Sequence, residues 1–226
     1  MKKVLFAMIA LVSCNEKSSI YYTEASKVGN VKKILVLGNS IVKHGPLPAI
    51  GWNNDWGMAA SSIDSDFVHL LIRDLKKFDT SILLMYSNIS DFERDYLTYD
   101  FKKADSFKLF NPDIIVMRIA ENVNDAFAEN NEFMKYYDKL INYIDSSGSC
   151  VKIICSGWWK NKNVNDLIYN YAIDKDYTFI NQTELYSDST IALGQYQNTG
   201  IQQHPNNLGM RKIEESIWRA IMPYVK

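Results

Sequence analysis

The stretch that decides the fold is Val31-Lys32-Lys33-Ile34-Leu35-Val36-Leu37-Gly38-Asn39-Ser40. Its continuous apolar run is typical of a strand that is buried on both faces of a sheet. The strand ends at a Gly-Asn-Ser turn that presents one hydroxyl. A serine hydroxyl becomes a nucleophile only when a base removes its proton, and His204 is one of three histidines in the chain. The function therefore depends on whether Ser40 and His204 meet.

Apolar runs and helical patterns alternate along the rest of the chain. Strands separated by helices favour a parallel sheet covered on both faces. We therefore predict an α/β fold, a three-layer α/β/α sandwich around a five-stranded parallel sheet. Strands are predicted at 33–37, 81–86, 114–119, 151–156 and 178–181, and helices at 58–77, 129–146, 164–175 and 208–222, the last one ended by Pro223.

Composition narrows the class of protein. A chain of 226 residues with 47% hydrophobic residues suits one domain with a substantial core. The 25 basic and 26 acidic residues nearly cancel. Such a balance provides no field for holding nucleic acid or an anionic membrane, so no nucleic-acid partner is expected. The sequence does not indicate an oligomeric state.

The N-terminus has the pattern of a targeting segment. Lys2 and Lys3 precede an apolar run over residues 4–12 that is too short to span a membrane. The following Leu-Val-Ser-Cys14 resembles the lipobox of bacterial lipoproteins, whose cysteine is lipidated. An ordinary secretory signal with a chance cysteine, or a short core segment, are the alternatives.

The domain boundaries and location follow from the lipobox interpretation. Residues 1–13 are predicted to be a lipoprotein signal peptide, residues 14–30 a tether and residues 31–226 the folded domain. The protein is then expected in the bacterial cell envelope, outside the cytoplasm and on the outer membrane, with a lipid anchor as its only membrane contact.

Two further cysteines flank the predicted strand at 151–156. Cys150 and Cys155 are five positions apart, and an odd separation along a strand places side chains on opposite faces. They would also lie too far apart for a disulfide. We predict two buried free thiols that bind no metal.

The predicted strands bring separated residues to one edge of the sheet. Ligands of such folds bind beyond the carboxyl ends of the strands. Ser40 follows the first strand, residues 118–125 follow the third, Trp158 and Trp159 follow the fourth, and His204 precedes the last helix. All four groups are expected at the same edge.

Four short motifs together resemble the conserved blocks of the SGNH/GDSL hydrolases. Gly-Asn-Ser40 is similar to the first block, Gly57 to the second, Asn122 to the third and His204-Pro to the fifth, in the order of the family. The resemblance spans residues 31–222. It implies a flavodoxin-like sheet, Ser40 as nucleophile, His204 as base, and oxyanion donors in the N–H groups of Ser40 and Gly57 and the amide of Asn122.

The chain departs from the family pattern at three positions. Asn39 and Ala120 replace an aspartate and a glycine, and Ile201 stands where the family has the aspartate three residues before the histidine. Losing that carboxylate from a triad can cost on the order of 10⁴ in rate. We therefore predict a Ser40–His204 dyad, with a backbone carbonyl of residues 200–203 orienting the imidazole. A carboxylate distant in sequence is the alternative.

Each assigned residue also has a structural alternative. Ser40 could cap a helix, Gly57 could form a turn, Asn122 could shape a loop and His204 could lie on the surface before a helix. His44 is the rival base or a substrate contact, whereas His69 lies in a helical pattern and is expected to be structural. Arg118 and Glu121 could pair to brace the oxyanion loop, or Glu121 could contact substrate. Tryptophans that could stack on sugar rings or pack in the core are Trp52, Trp56, Trp158 and Trp159.

These observations favour an extracytoplasmic serine esterase. The resemblance and the export signal imply hydrolysis of small acyl esters, acetyl above all, on carbohydrates through an acyl-enzyme. No metal or organic cofactor is expected. A glycan-binding lipoprotein of the same fold with impaired catalysis is the alternative, since Ile201 and Ala120 depart from the family pattern. A lipase-like or thioesterase role is less favoured because the sequence shows no long apolar lid.

Overall fold

A computed structural model describes residues 20–21, 31–130 and 132–225. The predicted signal peptide, Cys14 and most of the predicted tether lie outside the described residues. Within those ranges, no helix combines the length and the apolar character needed to cross a membrane.

One sheet forms the centre of the domain. Its strands are β1 (Ile20–Tyr21), β2 (Lys33–Gly38), β3 (Leu83–Asn88), β4 (Ile114–Met117), β5 (Val151–Cys155) and β6 (Thr178–Ile180). Their order across the sheet is β1-β6-β5-β4-β2-β3. Strands β2 to β6 are parallel, and the two-residue β1 pairs antiparallel with β6. The five parallel strands have the flavodoxin-like order, which confirms the predicted fold class. Strand β1 was not predicted: it comes from the predicted tether and adds a sixth strand at the edge of the sheet.

Helices cover both faces of this sheet. They are α1 (Phe67–Phe78), α2 (Ser90–Asp95), α3 (Asp105–Phe110), α4 (Phe133–Ile144), α5 (Lys162–Asp174), α6 (Thr199–Gln202) and α7 (Asn207–Val225). Alternate residues of β2 enter two separate cores. Leu35 and Leu37 pack with α2 to α5, whereas Ile34 and Val36 pack with α1 and α7. The sheet is therefore the middle layer of three.

The two cysteines of the described domain lie on opposite faces of the sheet, as the strand pattern predicts. Both are free and buried. Cys150 belongs to the core on the α4 side of the sheet and Cys155 to the core on the α1 side. Burial raises the pKa of each thiol to about 12, so neither is a reactive thiolate near neutral pH.

Local hydrogen bonds explain three boundaries that differ from prediction. Helix α1 begins at Phe67 and not at residue 58, because the Asp66 side chain caps it by accepting from the His69 N–H at 2.8 Å. Strand β3 begins at Leu83, because the backbone and hydroxyl of Ser81 bond the Asp79 carboxylate in a turn. Helix α7 is not ended by Pro223 but continues to Val225, so the hydrogen bond that the proline cannot donate is lost only within the last turn.

Candidate active site

The carboxyl ends of the parallel strands bring the predicted residues to one edge. Ser40 follows β2, and residues 118–125 follow its neighbour β4. In a sheet of this order the two strands flank the point where the strand order reverses. Ligands of doubly wound sheets bind at that point. The topology therefore places Ser40 at the favoured site of the fold.

Ser40 and His204, which are 164 positions apart in sequence, are in direct contact. The Ser40 Oγ lies 2.8 Å from His204 Nε2, and His204 Nδ1 lies 2.9 Å from the Gly200 carbonyl oxygen. A carbonyl oxygen only accepts, so Nδ1 carries the ring proton and Nε2 is left as the acceptor for the serine proton. Burial lowers the pKa of His204 to about 4, and the imidazole is neutral near pH 7.

Ile201 does not face the histidine. Its side chain is buried in a cluster with Trp52, Met58, Ala59 and Ala192. The one-turn helix α6 instead turns the Gly200 carbonyl toward the imidazole, and the Asn198 side chain caps it by accepting from the Ile201 N–H at 3.1 Å. A backbone carbonyl of α6 therefore occupies the place of the usual carboxylate.

Restoring an aspartate at position 201 is not expected to restore a triad. The Ile201→Asp carboxyl would enter the apolar cluster, so we expect the free energy of unfolding to fall by about 2–4 kcal/mol with no rise in kcat. Denaturant unfolding and ester hydrolysis measure the two quantities. Ile201→Val is the control, at a cost of about 0.5–1.5 kcal/mol. A stable Ile201→Asp protein with a higher kcat would contradict this reading of α6.

The Gly57 N–H is not free to act as an oxyanion donor. It donates to Asp66 Oδ2 at 3.1 Å, and the fully buried Asp66 also contacts the His69 ring. The prediction that Gly57 donates to an oxyanion is therefore corrected. The residue must still be glycine, because a Cβ there would lie 2.6 Å from the Ile41 carbonyl oxygen. The next N–H, from Met58, donates to the Ser40 carbonyl at 2.8 Å and so fixes the backbone of the serine.

Beneath the serine turn lies a buried carboxylate pair. Asn39 Nδ2 donates to Glu121 Oε2 at 2.6 Å and to Glu93 Oε1 at 3.1 Å. Arg118 Nη2 donates to Glu121 Oε1 at 2.7 Å, which is the ion pair of the bracing alternative. An aspartate at position 39 would add a third carboxylate to this pair, so the departure from the Gly-Asp-Ser pattern has a physical reason.

The two carboxylates titrate differently because only one of them has a cation. Burial and the charge of Glu121 raise the pKa of Glu93 to about 7. Burial also opposes ionisation of Glu121, but Arg118 and several hydrogen bonds hold the pKa of Glu121 below its ordinary value. Glu121 is therefore the more acidic member of the pair.

Asn122 is held by two residues for which the sequence predicted no role. Its Nδ2 donates to Glu93 Oε2 at 2.6 Å, and its Oδ1 accepts from Arg94 Nη2 at 3.0 Å. Both partners belong to the short helix α2, which follows β3 at the same edge of the sheet. That position after a strand was the available sequence signal.

A cavity of about 480 Å³ opens beside His204. The Trp159 ring contacts the His204 ring edge-on, with 5.6 Å between centroids. The Tyr186 hydroxyl donates to Gln203 Oε1 in the cavity wall. The cavity is lined by Trp159, Lys160, Tyr186, Gly200, Gln203 and His204. An aromatic wall with polar groups is suited to bind a sugar ring or a different alcohol.

Three predicted substrate contacts are corrected, because their side chains are buried. Trp52 and Trp158 are fully buried, and the Glu121 side chain is 1% exposed. Trp158 lies behind the cavity, with its indole N–H on the Gln203 carbonyl at 3.1 Å. Trp159 also donates its indole N–H to the Gln203 carbonyl, at 3.2 Å, and it lines the cavity in place of the buried Trp158.

The two remaining predicted contacts lie in the loop after Ser40. Trp56 is half-buried against Trp52, and its indole N–H donates to the Ala60 carbonyl at 2.9 Å. His44 is half-buried, and its Nδ1 contacts the Gly45 carbonyl oxygen at 2.6 Å. The nitrogen at the Ser40 hydroxyl belongs to His204, and not to the rival His44.

Comparisons with known proteins agree with this fold. No protein-family model matches the chain, and no curated protein matches it by sequence. Among solved structures, the chain is similar to the acetyl xylan esterase AlAXEase, with 17% identity and a TM-score of 0.56 over 84% of this chain and 99% of that one. A protein assigned to the G-D-S-L lipolytic family from Desulfitobacterium hafniense shares 11% identity, with a TM-score of 0.51 over 83% of this chain and 98% of that one.

A two-domain esterase active on acetylated mannans is also similar. It shares 17% identity, with a TM-score of 0.53 over 84% of this chain, but the chain covers only 49% of that protein. Identities this low show that the architecture is shared, but they do not show that the substrate is shared. The chain shares the three-layer fold of these solved structures.

Proposed function

We propose that this protein is a serine esterase that removes small acyl groups, acetyl above all, from carbohydrates. The observation that carries the proposal is the chain of contacts from the Ser40 hydroxyl through His204 to the Gly200 carbonyl. Nucleophile, base and orienting group are within hydrogen-bond reach of one another, as nucleophilic acyl transfer requires.

The geometry supports a two-step mechanism. The Ser40 oxygen attacks the ester carbonyl while His204 Nε2 takes its proton, and the carbonyl oxygen becomes an oxyanion. The imidazolium then gives that proton to the leaving alcohol as the C–O bond breaks, which leaves an acyl-enzyme. Water attacks the acyl-enzyme with His204 again as base, and the carboxylic acid leaves as Ser40 regains its proton.

Two groups are proposed as oxyanion donors. The Ser40 backbone N–H donates to no protein atom in the part of the chain that the structure describes. The Asn122 amide lies one carboxylate away from Asn39, the residue before the nucleophile. Gly57 is left out because Asp66 holds its N–H. Removal of one such donor typically costs 10²–10³ in kcat.

The substrate class rests on two observations. Two of the similar structures are esterases whose substrates are acetylated xylan and acetylated mannan. The cavity beside His204 has aromatic walls, which suit the leaving alcohol of a sugar ester. The N-terminal pattern supports a lipid anchor at Cys14 and a location in the cell envelope, where glycans are found.

Acetate release from acetylated glycans tests the proposal. The purified protein is incubated with acetylated xylan and acetylated mannan, and free acetate is measured against a Ser40→Ala blank. Ser189→Ala, an exposed serine, is the matched control. We expect release by the native and Ser189→Ala proteins only.

The same experiment addresses a glycan-binding protein without turnover. The engaged Gly57 N–H favours this second candidate, because it leaves fewer donors for an oxyanion. Glycan binding with acetate release no higher than the blank would establish the binding protein and overturn the esterase.

The pH profile is expected to keep its activity into the acid range. The base must be neutral, and burial lowers the pKa of His204 to about 4. Loss of activity through protonation of His204 is therefore expected near pH 4, and not near the ordinary histidine value of about 6.5. A kcat/KM profile on a neutral acetyl ester measures it, with enzyme stability checked at each pH. Complete loss of activity by pH 6 in a folded protein would contradict the assignment.

A further inference from the structure

Two adjacent residues of helix α2, Glu93 and Arg94, form hydrogen bonds with opposite ends of the Asn122 amide. The Glu93 carboxylate accepts from its nitrogen at 2.6 Å, and the Arg94 guanidinium donates to its oxygen at 3.0 Å. Both Glu93 oxygens accept from N–H groups in this structure, and a guanidinium only donates. Turning the amide around would place oxygen against the carboxylate and NH₂ against the guanidinium, so only one orientation satisfies both partners.

We propose that Glu93 and Arg94 are positioning residues, which present one N–H of Asn122 to the oxyanion formed at Ser40. This inference rests on the proposed esterase function. Nδ2 makes no second hydrogen bond with any described residue, so one N–H stays available after Glu93 has taken the other. The Arg94 charge on the amide oxygen also polarises the group and strengthens that N–H as a donor.

Glu93 and Arg94, with the Asn122 amide between them, form what we call the clamp. Glu93 also connects the clamp to the residue before the nucleophile. Its Oε1 accepts from Asn39 Nδ2 at 3.1 Å and from the Ala120 N–H at 2.8 Å. One carboxylate thus joins the residue before Ser40 to the loop that carries Asn122. The distance from the amide to the nucleophile is thereby set by a buried group, and not by an exposed loop.

Arg94 is the better residue to change. Glu93 is 1% exposed and joins helix α2 to the two loops that carry Asn39 and Asn122, so its variants can fail to fold, whereas Arg94 is exposed. Within the described ranges, Arg94 bonds the Ser90 hydroxyl and Asn122 but makes no ion pair with a carboxylate. Its removal leaves no buried charge behind.

Steady-state kinetics on a neutral acetyl ester form the first test. We expect Arg94→Met to lower kcat by roughly tenfold to a hundredfold with little change in KM, because an oxyanion donor acts in the transition state. Arg94→Lys should restore part of the loss. The control is Arg211→Met, an exposed arginine on α7, with kcat unchanged. An unaltered kcat in Arg94→Met would overturn the proposal.

A double-variant cycle tests whether Arg94 acts through Asn122. Adding Arg94→Met to Asn122→Ala should lower kcat no further, because the amide that Arg94 orients is already gone. A full, independent loss in the double variant would show that Arg94 acts on the substrate or elsewhere, and the positioning role would be wrong.

The side-chain amide protons of Asn122 give a readout that needs no catalysis. Their NMR signals are assigned by their loss in Asn122→Ala. We expect two separate signals with slow rotation and slow exchange in the native protein, and faster rotation and exchange in Arg94→Met. Slow rotation and slow exchange of these protons in a protein that lacks esterase activity would overturn the proposed function but would still support the clamp. An active esterase whose amide signals are the same in both proteins would overturn the clamp alone.

Discussion

Ser40→Ala and His204→Ala are each expected to lower kcat on an activated acetyl ester by about 10⁴-fold or more. The serine supplies the bond-forming oxygen, and the histidine is the group at 2.8 Å that can take its proton. Catalytic groups that act as a unit are strongly non-additive. The double variant should therefore be no slower than the slower single variant. Stopped-flow or steady-state hydrolysis of an aryl acetate measures all three.

His69→Gln is the matched control for the histidine. His69 contacts Asp66 and not Ser40, so its loss should leave kcat within a few-fold of the native value. Unfolding curves are needed beside the rates, since a catalytic loss with unchanged stability points to chemistry. Native-level hydrolysis by a folded Ser40→Ala protein would refute the nucleophile, and by a folded His204→Ala protein the base.

Arg118→Met is expected to lower the free energy of unfolding by about 3–5 kcal/mol at pH 7. The Arg118 and Glu121 side chains are 0% and 1% exposed, and they form an ion pair at 2.7 Å. Removal of one partner of a buried pair leaves an uncompensated charge. Here the charge left behind is Glu121, which shares Asn39 with a second carboxylate, Glu93. Urea or guanidinium unfolding measures the loss.

The loss of stability in Arg118→Met should depend on pH in a defined direction. In the native protein, the pKa of Glu121 lies below its unfolded value of about 4.5, so the ion pair stabilises the fold above that pH. Without the arginine, burial and Glu93 raise the pKa of Glu121 above that value. The folded variant then binds more protons than its unfolded chain, and its stability falls as pH rises. The deficit relative to the native protein should therefore be smaller near pH 4.5 than at pH 7.

Two further variants separate the ion pair from simple packing. Arg118→Met combined with Glu121→Gln should recover part of the lost stability, because no charge stays buried without a partner. Arg73→Met removes an arginine whose contact with Asp74 is exposed, and it should cost at most about 1 kcal/mol. An Arg118→Met protein as stable as Arg73→Met at pH 7 would show that the buried pair does not hold the turn.

The strand ends, and the edge of the sheet where Ser40 and His204 meet, could be predicted from sequence because they depend on local patterns. A continuous apolar run identifies each buried strand, and the parallel topology brings the carboxyl ends to one edge. The pairing of Ser40 with His204 was expected from the resemblance of the four motifs to the SGNH/GDSL blocks, since position beside a strand or a helix does not assign a role. The same patterns do not predict whether the side chain of a loop residue packs into the core or faces solvent. Trp52 and Trp158 pack inward, whereas Trp159 lines the cavity beside His204.

The roles of the polar neighbours could not be predicted because they depend on contacts between separate loops. Gly57 has the expected position, but Asp66 takes its N–H. Glu93 and Arg94 carry no recognisable motif, and only the fold brings α2 against Asn122. Hydrogen-bond partners of this kind are set by distances of a few tenths of an ångström between elements far apart in the chain.

The sequence by itself determined the three-layer architecture, the free cysteines on opposite faces and the serine at the end of β2, because strand periodicity and topology follow from residue order. It also showed that no aspartate precedes His204 at position 201. Only the tertiary structure decided what replaces it. Helix α6 buries Ile201 in an apolar cluster and turns the Gly200 carbonyl to the imidazole. The direction of a single backbone carbonyl follows from packing and helix geometry, and no residue type encodes it.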